Sequence, residues 1–210
     1  MQWNDRPIRF VAGLHGNEKA PVRALESRGL RFVLGNPRAY ERNVRFIERD
    51  LNASFGVEDG SYEALRAAEI LRKIGEKEVV VDFHTTSASS VPFAILTDKK
   101  MLPLAERIGV AYAVLMTHNI KKGHALINFR DGISVEMHGY DTEESFQATL
   151  HVLRALSEER SVPVRVYEVY GVIKELGDYE NFTEHPDGFT PVLVGEQSYD
   201  FIGLKARRLG

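Results

Sequence analysis

Residues 78–84 read EVVVDFH, and the fold prediction starts from this short stretch. Its three consecutive valines, residues 79–81, show no alternation of apolar and polar side chains, which is typical of a strand that is buried on both faces. Strands of this kind lie in the middle of a parallel or mixed sheet that helices cover. We therefore interpret residues 78–84 as a central strand and assign the rest of the chain around it.

Strand and helix patterns alternate on both sides of this central strand. Periodicity predicts further strands at residues 7–14, 30–35, 92–97, 110–116 and 132–138, and helices at residues 18–28, 62–75 and 143–157. In the second helix, Leu65, Ile70, Leu71 and Ile74 are expected to share one buried face. The alternation predicts an α/β fold. Residues after 163 are β-rich instead, so we predict an α/β domain at 1–162 and a small β-rich C-terminal domain at 163–210.

The composition of the whole chain narrows the classes of function. The chain has 210 residues, of which 43% are hydrophobic and 27% charged, with a formal net charge of −3 and no cysteine. The lack of cysteine excludes disulfides, thiolate metal ligands and cysteine catalysis, and the acidic balance argues against nucleic acid as a partner. The apolar runs are too short to span a membrane and residues 1–10 contain no apolar signal core, so a cytoplasmic protein is expected. Whether the chain forms a homo-oligomer is left open by the sequence.

The turn after the first predicted strand reads His15-Gly16-Asn17-Glu18. Zinc accepts imidazole nitrogen and carboxylate oxygen, and a catalytic zinc commonly has three protein ligands and one position for water. A turn can direct residues i and i+3 at one point, and Gly16 has no side chain to crowd an ion there. The pair is therefore a candidate for two metal ligands. The alternative is a simple helix-entry turn, with Glu18 favourably placed near a helix N-terminus.

A third ligand is expected from the end of another buried strand, and the central strand ends on His84. Open α/β sheets bind their ligands at the carboxyl ends of the strands. Asp82 lies two residues earlier on the same strand face, from which a carboxylate can orient a ligand histidine. The alternatives are a structural strand-end histidine and a capping or ion-pair role for Asp82. The two ligands offered by the first turn favour the metal site.

A hydrolytic zinc also needs a base for its water. Residues 132–139, GISVEMHG, have a strand pattern in which Glu136 is the one carboxylate. Because a buried carboxylate without a partner is costly, Glu136 has either a structural cation beside it or a catalytic reason to be there.

Four segments follow one another along the chain, and their combination is a more specific signal than any one of them alone. They read HGNE, NPRAYERNVRFIERDLNASF, VVVDFHTTS and GISVEMHG. In this combination the chain resembles the succinylglutamate desuccinylase/aspartoacylase family of zinc carboxypeptidase-like hydrolases. The resemblance implies a three-layer α/β/α sandwich around a mixed sheet, a smaller β-rich C-terminal domain, and one Zn2+ per chain that serves in hydrolysis of a small-molecule amide.

The resemblance also implies a role for each of seven side chains. The residues that match the family's zinc ligands are His15, Glu18 and His84. Glu136 matches the general base, and Arg45 matches the arginine that polarises the scissile carbonyl. Asn52, in DLN, matches a residue that holds a substrate carboxylate. Tyr199, in SYDFIGLKA, is similar in position to a substrate-contacting tyrosine.

One departure from the family pattern concerns the substrate. The family usually has an arginine directly after DLN, and Ala53 stands there in this chain. An alanine cannot imitate the fork that an arginine forms with a carboxylate. The second carboxylate-binding arginine is also missing, since residues 126–128 read LIN at that distance before Glu136. The metal ligands and the base match the family, whereas the pocket for an acidic substrate does not. The resemblance therefore implies a zinc-dependent deacylase for a small N-acyl amino acid-like substrate, with a carboxypeptidase-like metallopeptidase and a catalytically inactive metal- or ligand-binding module as alternatives.

Overall fold

A computed structural model describes residues 5–88, 91–117, 120, 122–158 and 161–210. Residues 1–4, which belong to the stretch examined for a signal core, lie outside the described residues. The described strands are β1 (Ile8–Ala12), β2 (Phe32–Leu34), β3 (Val79–Thr86), β4 (Phe93–Leu96), β5 (Tyr112–Leu115), β6 (Gly132–His138), β7 (Arg165–Ile173), β8 (Thr190–Val192) and β9 (Gly203–Arg208). The described α-helices are α1 (Lys19–Ser27), α2 (Pro37–Arg42), α3 (Tyr62–Lys73), α4 (Leu102–Arg107), α5 (Leu126–Phe129) and α6 (Glu143–Ser157). Short 3-10 helices cover Leu51–Ala53 and Lys99–Met101.

All of these strands join one mixed sheet, in the order β2-β1-β3-β6-β4-β5-β7-β9-β8. Strands β1, β3 and β6 run parallel to one another, and β4 is antiparallel to β6. Every residue of β3 is buried, which confirms the central strand that the valine run predicts. The carboxyl ends of β1, β3 and β6 therefore meet at the same edge of the sheet.

Helices cover both faces of the sheet. Successive residues of β3 point to opposite sides, so their neighbours show what packs on each face. Val81 and Phe83 pack in one apolar cluster with residues of α1, α4 and α6. Val80 packs on the other face, with Ile70 of α3 and with Ile74, which directly follows that helix. The predicted three-layer α/β/α architecture is thus confirmed.

The β-rich C-terminal part extends the same sheet. Strand β7 pairs in parallel with β5, and β9 and β8 continue the sheet in antiparallel pairing. A third apolar cluster joins Val169 of β7 and Leu204 of β9 to Phe93 of β4 and Val114 of β5. The division of the chain at residue 162 into two domains stays a prediction.

Some local predictions differ from the structure. Leu65 is not on the buried face of α3, because its side chain is 64% exposed. At about 100° per residue, it lies roughly 180° around the helix from Ile74. Helices α2, α4 and α5 are not predicted from the sequence, since each has only four to six residues and too few turns to show a period. None of the described helices combines the length and apolar character needed to cross a membrane.

Candidate active site

The turn that follows β1 carries the first two candidate ligands. Gly13, with a φ of 69°, turns the chain out of the strand, and Glu18 is the residue directly before α1. A Cβ on Gly16 would lie 2.1 Å from the backbone carbonyl carbon of Ala39. The close approach of α2 therefore requires a glycine here, and the expectation that Gly16 also leaves space for an ion stays a prediction.

Three buried side chains converge at this edge of the sheet. The candidate ligand atoms of His15, Glu18 and His84 all lie within 4.8 Å of one another. The Nδ1 of His15 lies 2.7 Å from one carboxylate oxygen of Glu18, and the Nδ1 of His84 lies 3.2 Å from the other. Two imidazole nitrogens and a carboxylate in one place form a ligand set that zinc accepts.

Each candidate ligand histidine turns its second nitrogen toward another carboxylate. The Nε2 of His15 is 2.9 Å from Asp50, and the Nε2 of His84 is 2.7 Å from Asp82. Such a carboxylate fixes the ring orientation and the tautomer, and it raises the basicity of the nitrogen that faces the metal. The arrangement agrees with the orienting role expected for Asp82. Asp50 has the same arrangement, and no pattern within DLN distinguishes it from its neighbours.

The charges of the cluster fit a cation at its centre. Within the described residues, the Oε2 of Glu18 is buried and accepts no hydrogen bond of good geometry, although the Nδ1 of His84 lies 3.2 Å away. Burial acts to raise the pKa of Glu18, but the two histidines outweigh it and bring the pKa to about 2. Burial acts to lower the pKa of His84, but Asp82 and Glu18 hold it well above its ordinary value. The site thus concentrates negative charge around two imidazoles, as a site for a divalent cation requires.

Glu136 lies beside this cluster on the neighbouring strand, directly opposite His84 in the β3–β6 register. Its side chain is half-buried in the cleft. Burial raises the pKa of Glu136 to about 7; Glu18 and Glu196 add to the rise, and the two histidines oppose it. No described residue forms a hydrogen bond or ion pair with the carboxylate of Glu136. A carboxyl group of this kind can accept and return a proton near neutral pH.

Arg45 and Asn52 reach the cleft from the segment between α2 and α3. The guanidinium of Arg45 lies 3.3 Å from Asp50 and 3.9 Å from Glu18. Burial acts to lower the pKa of Arg45, but these two carboxylates raise it above its ordinary value. The amide nitrogen of Asn52 is 3.4 Å from the Nε2 of His84, and its oxygen accepts a hydrogen bond from the first backbone N–H of α5.

Tyr199 and Glu196 enter the cleft from the loop before β9. One oxygen of Glu196 accepts hydrogen bonds from the Thr86 hydroxyl at 2.6 Å and the Ser87 N–H at 2.9 Å, and the other from the Ser198 N–H at 2.9 Å. Burial acts to raise the pKa of Glu196, but these donors hold it below its ordinary value. Sequence reasoning did not select Glu196. Its position three residues before Tyr199, which was predicted to contact the substrate, could have indicated that it lies near the site.

One open cleft, with an empty volume of about 680 Å3, contains every residue predicted for the site. These residues are His15, Glu18, Arg45, Asn52, His84, Glu136 and Tyr199. Ala53 is not among the described residues that line it, and its carbonyl oxygen accepts a hydrogen bond from Arg49. The cleft also has an apolar side that the sequence did not predict, formed by residues such as Ile95, Met116 and Ile127. The structure brings the predicted residues together, and their individual roles stay predictions.

The fold and the ligand cluster define an α/β/α protein with a candidate metal site at the carboxyl-end edge of its central strands. A structure of succinylglutamate desuccinylase from Chromobacterium violaceum superposes with a TM-score of 0.75 at 19% identity, covering 98% of this chain and 85% of that one. The sequence profile of the succinylglutamate desuccinylase/aspartoacylase catalytic domain matches residues 6–184. The chain belongs to this family.

Individual relatives match over shorter stretches. A probable aspartoacylase from Prochlorococcus marinus subsp. pastoris is 36% identical over 114 residues, which cover 46% of this chain and 39% of the relative. An N-acyl-aromatic-L-amino acid amidohydrolase (carboxylate-forming) from Xenopus tropicalis is 39% identical over 107 residues, which cover 39% of this chain and 34% of the relative. The matched stretches thus span less than half the length of these curated relatives.

Proposed function

We propose that this protein is a zinc-dependent deacylase that hydrolyses the amide bond of a small N-acyl amino acid-like substrate. The observation that carries the proposal is the convergence of His15, Glu18 and His84 within 4.8 Å, next to Glu136 on the adjacent strand. Membership of a family with amidohydrolase relatives supports the type of bond.

The two histidines and Glu18 would hold the zinc ion, and the carboxylates behind the histidines would fix the direction of the imidazole nitrogens. Zinc in such a site supplies Lewis acidity, which polarises a carbonyl and lowers the pKa of a water molecule. The fit rests on the donor set and on the buried Glu18 oxygen that accepts no hydrogen bond of good geometry from the described residues.

Glu136 is the proton carrier in this proposal. Its carboxylate accepts a proton from the water that attacks the amide carbonyl carbon, so a C–O bond forms as the water becomes nucleophilic. Glu136 then returns the proton to the amide nitrogen when the C–N bond breaks. The second proton of the water stays with the acyl product, so the products are a carboxylic acid and an amine, which become carboxylate and ammonium in solution. Glu136 ends in its starting protonation state.

Arg45 stabilises the negative charge that develops on the carbonyl oxygen. Its guanidinium lies at the cleft wall, held 3.3 Å from Asp50 and 3.9 Å from Glu18. A charge that is already fixed in place needs no reorganisation during the reaction, which makes it effective in a partly dehydrated cleft.

Metal content and turnover test the proposal together. We expect about one zinc per chain by elemental analysis in wild-type protein prepared without a polyhistidine tag, and loss of that zinc in His84→Ala. His151→Ala, which changes an exposed histidine on α6, is the matched control and is expected to keep the metal. Glu136→Gln is expected to keep zinc and to lose at least 100-fold in kcat on N-acyl amino acids.

The outcomes separate the proposal from its alternatives. No zinc in the wild-type protein after zinc is offered, or normal turnover by Glu136→Gln, would contradict it. Cleavage of peptides in preference to N-acyl amino acids would indicate a metallopeptidase. Stoichiometric zinc with no turnover across amides and esters would indicate a binding module.

A further inference from the structure

The cleft has two chemically different sides, and the strand order of the sheet separates them. The candidate metal cluster lies at the ends of β1 and β3, and Glu136 lies on β6. Strands β4 and β5 come next in the sheet. The side chains that reach the cleft from there are Ile95 on β4 and Met116 directly after β5, and Ile127 of α5 joins them. The proposed base therefore stands between the metal cluster and an apolar wall.

The register of the sheet places this wall within reach of a small substrate. Ile95 pairs with Ser134 of β6, two residues from Glu136 on the same strand face. Ile127 is held in place by its carbonyl oxygen, which accepts a hydrogen bond from the Thr97 hydroxyl at 3.0 Å. A substituent that extends from the reacting carbonyl toward β4 would therefore meet this wall.

The charges around the cleft disfavour a second anionic group on the substrate. Among the described residues that line the cleft, Arg45 is the one with a permanent positive charge, and it already faces Asp50 and Glu18. Glu196 presents a further carboxylate, whose hydrogen bonds come from the protein itself. A substrate carboxylate at the wall would lose water without gaining a cation, and that loss is costly.

We infer that Ile95, Met116 and Ile127 form a subsite for an uncharged, apolar substituent of the substrate, and that they determine specificity against substrates with an acidic group at this position. The inference rests on the proposed deacylase function and names its substrate class. The subsite does not specify whether the apolar group belongs to the acyl part or to the amino acid part, so the experiment examines both.

Two pairs of nearly isosteric compounds test the subsite. N-acetyl-L-leucine is compared with N-acetyl-L-aspartate for the amino acid part, and 4-methylpentanoyl-L-alanine with succinyl-L-alanine for the acyl part. Binding is measured by calorimetry on zinc-loaded Glu136→Gln protein, so that affinity is read without turnover. In at least one pair we expect the apolar member to bind about 10- to 100-fold more tightly, as burial of a branched alkyl group implies. Equal or tighter binding of both acids, or no binding of any compound, would overturn the inference.

The same four compounds, given to wild-type protein as substrates, keep the two proposals distinguishable. Apolar preference in binding without any turnover contradicts the deacylase function and leaves the subsite in place. Turnover of the acidic compounds alone supports the deacylase function and overturns the subsite.

A variant assigns the preference to the wall itself. Ile95→Thr keeps a β-branched side chain that suits a strand and adds a hydroxyl to the wall. We expect it to reduce the ratio of apolar to acidic affinity at least fivefold. Val162→Thr makes the same kind of change at a residue that is 48% exposed and is expected to leave the ratio unchanged. An unchanged ratio in Ile95→Thr, in protein that unfolds at the wild-type midpoint, would contradict the assignment.

Discussion

Glu63 is a buried carboxylate outside the cleft, and replacing it with glutamine tests how the segment that carries Arg45 and Asp50 is held. Glu63 lies in the first turn of α3 and is fully buried. Its carboxylate accepts four hydrogen bonds from the chain that precedes it. The donors are the backbone N–H groups of Ile47, Glu48 and Arg49, at 2.7, 3.2 and 3.3 Å, and the side-chain amide of Asn36, at 3.0 Å.

The expected cost follows from these contacts. Glutamine keeps an oxygen toward one pair of donors but turns an NH2 group toward the other pair. Two hydrogen bonds to a charged acceptor are then lost, and two buried donors face another donor. Each such bond contributes about 1.5–3 kcal/mol. Allowing for relaxation of the loop, we expect Glu63→Gln to lower the free energy of unfolding by about 3 kcal/mol.

Urea unfolding of zinc-loaded protein measures this change. Glu58→Gln makes the same chemical change at an exposed position, and it is expected to stay within about 0.5 kcal/mol of wild type. Turnover at saturating zinc is the second measurement. We expect kcat of Glu63→Gln to fall while the zinc stoichiometry stays at wild-type level, because the ligand residues themselves are unchanged. If Glu63→Gln unfolds at the same midpoint and with the same slope as Glu58→Gln, the reasoning is refuted.

Three further changes test other parts of the structure. Gly16→Ala places a Cβ 2.1 Å from backbone atoms of α2 and should destabilise the fold by about 3 kcal/mol; a wild-type melting temperature would contradict this. Asp50→Asn weakens the carboxylate behind His15, so zinc affinity, measured by chelator competition, should fall about 10- to 100-fold; unchanged affinity would remove Asp50 from the site. The carboxylate of Asp131 accepts a hydrogen bond from Arg6 at 2.6 Å, and this contact lowers the pKa of Asp131. The ion pair therefore stabilises the fold at pH values above about 3.9, the pKa of an aspartate in the unfolded chain. Asp131→Asn should cost about 1 kcal/mol at pH 7 and less at pH 3, whereas a constant or growing difference in urea unfolding would contradict the ion pair.

The sequence predicts the parts of the molecule that local patterns encode. The valine run of β3 gives the buried central strand, and the strand ends then give the positions of His15 and His84 at one edge of the sheet. Helix α3 is found within two residues of its ends, but its buried face is only partly correct, because Leu65 points to solvent. A periodic pattern indicates that a helix exists more reliably than it indicates which residues the helix buries.

The sequence does not predict features that depend on contacts between distant segments. Asp50 contacts His15, which is 35 residues away in the sequence, and Glu196 accepts a hydrogen bond from Thr86, which is 110 residues away. No local period or spacing connects such pairs. The apolar wall also depends on the fold, because Ile95 lies on strand β4 and Ile127 on helix α5, and only the folded chain brings them together.

The division between strands and connecting segments explains how the departure predicted at Ala53 leaves the candidate metal site in place. His84 and Glu136 stand on adjacent central strands, in a register that main-chain hydrogen bonds fix. Ala53 and Ile127 lie on a 3-10 helix and on the short helix α5, which are linked through the Asn52 side chain. A substitution at Ile127 changes what the cleft contacts, and a substitution in either segment leaves the sheet register untouched. We therefore expect the family to vary in substrate choice through the connecting segments, since function depends on sites carried by a fold rather than on the fold alone.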